Sequence, residues 1–201
     1  MDLSFGALAL RARPDRIDFM TNADFQQLSS VILGQVLAYD QTDMQRVAAV
    51  VHYVIAKADP GKLGHVKLNK VLWYADLEHY RWHGATITGL RQYSRTLHGP
   101  MSRHIIRAVG RLAREDKVQE RTVTVTDYTR REMVSLEDPD ISAFTDAQIA
   151  ILDQMINLVV PLTASQLGRT NREDPLWNKV ENNEAMSVAT ASIMTPPPAQ
   201  K

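Results

Sequence analysis

Between Lys67 and Gly84 the chain reads KLNKVLWYADLEHYRWHG, and this segment limits the fold more than any other. At roughly 100° per residue, Leu68, Val71, Leu72, Ala75, His79, Trp82 and His83 share one broad helical stripe. Trp73, Leu77 and Tyr80 make a second apolar strip, leaving Lys67, Lys70, Glu78 and Arg81 a narrow polar wedge. A helix apolar on two sides packs against more than one neighbour, so it is expected at the centre of the fold. Gly84 supplies its stop.

The elements around it follow from periodicity and punctuation. Residues 1–22 show no clear period and are expected to form a flexible N-terminal arm. A helix is expected from Asn22 or Ala23 to Tyr39. The next starts at an Asp43 cap, carries Met44, Val47, Val51, Val54, Ile55 and Ala58, and stops at Pro60-Gly61. Beyond the central helix, 84–100 reads as irregular, and a helix over Met101 to Glu115 turns Ile105, Ile106, Val109 and Leu112 inward. In KVQERTVTVTDYTRREMVSL, Thr122, Thr124 and Thr126 alternate with Val123 and Val125, which predicts a β-hairpin turning at DYTR. Thr145 with Gln148 forms a capping box, stapled by Phe144 and Ile149, for a helix that ends at Pro161. Thr163 with Gln166 repeats the box for a short helix, and a last helical segment is expected after REDPLW. TPPPAQK cannot continue a helix or a strand, and 191–201 is expected to be a disordered tail. The expected class is α+β and mainly helical: a compact helical domain over 23–190 with a small antiparallel β-hairpin.

Composition excludes several kinds of protein. A chain of 201 residues buries about two-thirds of its unfolded surface and needs no staples. Cysteine is absent, which removes disulfides, thiolate nucleophiles and sulfur-rich zinc sites and fits a reducing cytoplasm. Asp2 stands where a signal peptide carries positive charge, and no stretch approaches the ~18 apolar residues of a membrane span. Lys+Arg and Asp+Glu each total 23, so no net charge draws the chain to nucleic acid or acidic lipid. A cytoplasmic protein with no membrane partner is expected.

Candidate chemistry is sparse. His79 and His83 have the i, i+4 spacing of a helical metal grip, but EHYRWH is neither H-E-x-x-H nor H-x-x-E-H. Both lie on the apolar stripe, so two core-edge histidines are expected and no metal. The alternative is a His-dependent metallohydrolase that recruits His52, His65, His98 or His104. GKLG between two helices matches the G-x-x-G loop of KH folds, but no strand precedes it, and a helix end followed by a turn explains the glycines as well. The DPD at Asp138 to Asp140 reads as turn chemistry. Arg103, Arg107, Arg111 and Arg114 fall within about 80° of one another, opposite the apolar face of their helix. Such a row suits a solvated face, a protein partner or, in a nucleic-acid-binding regulator, phosphates. No catalytic residue or cofactor motif is found, and no enzyme is expected.

The order of three motifs resembles the Panacea domain family of SocA-like antitoxins. Lys67, Leu68, Lys70, Leu72, Tyr74 and Ala75 carry the first, a K-L-x-K-L-L-Y-Y-A-like helix. Gly99 and Pro100 carry the second, and Pro175 with Trp177 the third, over a span from about Gln45 to Glu181. The chain departs from the pattern at Asn171, near a frequent histidine, and at Leu176, which separates the proline from the tryptophan; residues 1–42 extend beyond the usual start. The resemblance implies an antitoxin that binds and occludes a cognate toxin, usually encoded by the adjacent gene. It also implies, as an alternative, an adaptor delivering the toxin to a protease. A homo-oligomer is compatible with either.

Overall fold

The computed structural model describes residues 44–126 and 128–196. The expected arm over 1–22, the helix expected up to Tyr39 and the last residues of the tail lie outside them. The central segment is α2, His65–His83, and every residue from Leu68 to Leu77 is buried. Gly84 ends it in the left-handed conformation at φ 65, its N–H donating to the Tyr80 carbonyl. Two elements precede and follow α2 closely: α1 over 44–57 and, after Ser102, α3 at Arg103–Arg114. Then come α4, Asp146–Val159, α5, Ala164–Arg172, and α6, Val188–Met194. Both predicted capping boxes form, at Thr145 with Gln148 and at Thr163 with Gln166. Asp140 accepts from the Ser142 N–H at 2.9 Å, the turn chemistry expected of DPD.

α2 packs against α4, α6 and a strand, as a helix apolar on two sides must. α1 is joined to α4 by polar bonds: Tyr53 donates to Asp153 at 2.8 Å and Arg46 to Gln148 at 2.7 Å. The Arg46 guanidinium also lies 4.5 Å over the Phe144 ring.

The hairpin is present as β3, Val118–Val125, and β4, Tyr128–Ser135. Its strands are already paired at Val125 and Tyr128, with Thr126 at φ 49, so the turn falls earlier than DYTR. A second, three-stranded antiparallel sheet was not expected. It holds β1, Gln92–Thr96, between β2, Gly99–Met101, and β5, Ala185–Ser187. β1 replaces part of the expected irregular stretch. Only Tyr93 of QYSRT is buried, so no apolar alternation marks it. Pro100 fits because β2 is an edge strand, where a missing N–H costs nothing.

Three further expectations are corrected. The tail does not begin at 191: α6 runs to Met194, Ala191 is fully buried, and the buried Thr195 hydroxyl bonds Asp174 at 3.0 Å. Trp82 is 74% exposed, because the last turn of α2 passes beyond the core; its indole N–H donates to Glu78. Ile106 is 47% exposed, and Ala108 takes its inward place beside Ile105, Val109 and Leu112.

The loop after α2 is fixed by one buried carboxylate. Asp76 Oδ1 accepts from the Thr88 N–H at 2.9 Å, and Oδ2 from the hydroxyls of Thr88 and of Tyr93, the latter at 2.7 Å. Burial pushes this carboxyl up to about 6, against the opposing pull of those donors. Because the folded value lies above the ordinary ~3.9, this contribution is fully present below that pH and lost as pH rises through about 6. Measured by urea midpoints, the wild type should therefore lose up to roughly 3 kcal/mol relative to Asp76→Asn between pH ~4 and ~6, then level off. Parallel curves for the two proteins would contradict this.

Candidate functional site

Lys70 is the point where the three sequence motifs meet. Its ammonium, on a side chain only 1% exposed, donates to the Leu167 carbonyl at 2.8 Å and to the Thr170 hydroxyl at 2.7 Å. Burial lowers it to about 8, and the nearby Asp174 charge partly offsets that. Lys67, one turn earlier, donates to the Val160 carbonyl at 2.6 Å, a cation at the C-terminus of α4. The two lysines of the first motif thus tie α2 to α4 and α5. Leu68, Leu72, Tyr74 and Ala75 are buried in the core beside them.

The second motif packs on this lysine, and Asp174, the residue before the third, acts on it as a nearby charge. Gly99 has φ 145, and a Cβ there would lie 3.2 Å from Lys70 Cε, so only glycine suits both the backbone and the space. Pro100 is buried behind it, and Asn171 is buried close by. Asp174 accepts from the N–H groups of Leu176 and Trp177 at 2.8 and 3.2 Å, shaping the turn around the exposed Pro175. Trp177 is buried, with the Arg95 guanidinium 4.6 Å over its ring.

The histidines are used structurally. The Ala85 carbonyl lies 2.6 Å from His79 Nδ1, so that nitrogen carries the proton, and Nε2 faces the Gln148 amide nitrogen at 3.5 Å. His83 stacks on the His79 ring at 4.4 Å. The others are scattered: His52 meets Ser135, His65 meets Glu120, and His104 sits beside Ser102. Among the described residues no three His, Asp or Glu side chains group as a metal site. No single described helix is long and apolar enough to cross a membrane.

Two concave surfaces meet at His65. One is a groove of about 630 Å³ between α3 and the start of the hairpin, where Ile106, Gly110 and Ala113 face Val118 and Leu136. The arginine row flanks it on α3: Arg103, Arg107 and Arg114 are exposed, while Arg111 is half-buried and pairs with Glu115 at 2.6 Å. The second is a cleft of about 500 Å³ at the entrance of α2, over Leu63, Leu97 and Leu167. Lys62, His65, Lys67, His98, Arg130 and Arg131 line it. GKLG belongs here: Gly64 is the N-cap of α2, with no capping side chain and no acid in the first turn. Sequence reasoning missed this cleft, because its walls come from distant segments, and GKLG was its only local signal.

Gly99→Ala should cost about 2 kcal/mol, since it adds both backbone strain and a clash with Lys70. A urea midpoint lowered at unchanged m-value would register it; an unchanged midpoint would show that the Lys70 contact gives way freely.

No curated protein and no solved structure matches the chain. The family described as antitoxin SocA-like, Panacea domain, matches residues 68–178, more than half of the chain, from α2 through the Trp177 turn. This chain belongs to the SocA-like Panacea-domain antitoxin family.

Proposed function

We propose that this chain is a cytoplasmic antitoxin that neutralises a cognate toxin, encoded by the adjacent gene, by binding it directly and covering its working surface. The role is non-enzymatic. Family membership supports the antitoxin reading, and the surface of α3 is the observation that carries direct binding. There Ile106 and Leu136 expose large apolar side chains at the groove, and the arginine row runs along the same helix as Ile106. A central apolar anchor within a polar rim is the pattern of energetically useful interfaces, and arginine is enriched in them. Stable occlusion needs at least ~1,000 Å² of buried surface.

Co-expression tests the reading. The adjacent gene product should arrest growth alone and be tolerated when this protein is present. Replacing Ile106→Asp together with Arg107→Glu should abolish protection and weaken co-purification at least about a hundredfold. Both side chains are exposed, so the melting temperature should hold. Free growth of cells carrying the neighbour alone would sink the proposal.

A further inference from the structure

We propose that the basic cleft at the entrance of α2 is a second docking site, and that it takes an acidic peptide segment carrying leucine-type side chains, supplied by a partner protein. It goes beyond the toxin-binding reading, because the cleft is a separate surface from the α3 groove, adjoining it only at His65.

Charge is the first reason. Lys62, Lys67, Arg130 and Arg131 line the cleft with His65 and His98, and no Asp or Glu is among its lining residues. Carboxylates outside the cleft cancel part of this charge. Asp59 lies 3.3 Å from Lys62, in a pair more than half exposed, where water screens such a contact strongly. Glu120 meets His65 at 2.7 Å, and Glu132 meets Arg130 at 2.7 Å. Lys67 instead bonds the neutral Val160 carbonyl; burial and the Lys62 charge lower its pKa, and the Asp59 charge offsets part of that without an ion pair. Arg131 and His98 have no acidic partner among the described residues. A concave, partly apolar wall focuses the field of such charges and favours anions.

Shape and wall chemistry select the class of anion. Leu97, 78% exposed at its edge, gives the cleft apolar surface together with Val66 and Ala164, over the buried Leu63 and Leu167. A highly charged, fully polar ligand would leave those side chains unused. About 500 Å³ holds a few side chains of an extended peptide and lies in the ordinary range of binding sites. Nucleic acid fits less well. No Phe, Tyr or Trp lines the cleft to stack on bases. The chain as a whole also balances 23 basic against 23 acidic residues, so no net charge adds long-range attraction to a polyanion.

The test is a fluorescence-anisotropy titration of the full chain with three labelled probes. They are an octapeptide of glutamate, aspartate and leucine, the same peptide with every acid replaced by its amide, and an oligothymidine of equal length. The acidic peptide should bind saturably, at least about tenfold tighter than either control, and weaken as salt rises. Lys62→Glu with Arg131→Glu, both exposed positions, should weaken it about a hundredfold at unchanged melting temperature. Arg107→Glu, on α3, should leave it within about twofold. The proposal is overturned if the acidic peptide does not bind, if either control binds equally well, or if the charge-reversed cleft binds like the wild type. No toxin enters this titration. Its failure leaves the neutralisation reading standing, and a harmless neighbouring gene leaves the cleft standing.

Discussion

Asp76 lies fully out of water at the middle of α2, with both oxygens committed to Thr88 and Tyr93. The returning loop and the first strand after the helix take their position from that anchorage. Thr88 brings the returning loop against α2, and Tyr93 sets the central strand of the three-stranded sheet. The Tyr93 ring then packs edge-on against Trp73 at 5.0 Å, so the polar bond and the aromatic contact fix the same register. Apolar burial alone would hold these elements together without choosing among nearby arrangements. An unpaired buried oxygen costs about 1–3 kcal/mol, and that penalty excludes the slipped alternatives.

The same division of labour runs along the whole helix. Asn69 accepts from the Ser102 N–H at 2.9 Å, which places the start of α3. Lys67 reaches α4, and Lys70 reaches α5. Lys67, Asn69, Lys70 and Asp76 therefore address different neighbours, while the apolar residues between them supply the driving force. This explains why the family's motifs are spread along the chain yet converge in space. Gly99 is required because Lys70 passes beneath it, and the turn around Pro175 brings Asp174 near enough to oppose the lysine's desolvation.

Periodicity made the helical part of the fold legible, including the central place of α2 and both capping boxes. Those signals are local: an i, i+4 stripe or a Thr-x-x-Gln cap states its own geometry. The three-stranded sheet stayed hidden because its strands are short and join Gln92 to Ser187 across the chain. Trp82 and Ile106 misled for the opposite reason. Each sits at an apolar phase of its helix, but one lies past the end of the core and the other over a groove. Lys70 was assigned to the polar wedge, and no pattern within the helix announces that carbonyls of a helix 97 residues away will close over it. The basic cleft was unreadable for the same reason, since residues near positions 62, 98, 131 and 167 become neighbours only in three dimensions.

Net neutrality also concealed how the charges are distributed. Asp76 and Asp174 are spent inside on turns and loops, and Glu78, Glu115 and Glu132 are held by arginines of their own or neighbouring elements. Many carboxylates are thus neutralised where they stand. Several cations are less fully answered: the Lys67 ammonium bonds a carbonyl, with the Asp59 charge acting on it only through space, and among the described residues Arg131 has no acidic partner. A chain with equal numbers of both signs can in this way present a positive face while carrying no general affinity for polyanions. If the protein acts by covering another, as proposed, that is a useful combination, because a local field would guide an acidic partner surface into place while long-range attraction to nucleic acid stays weak.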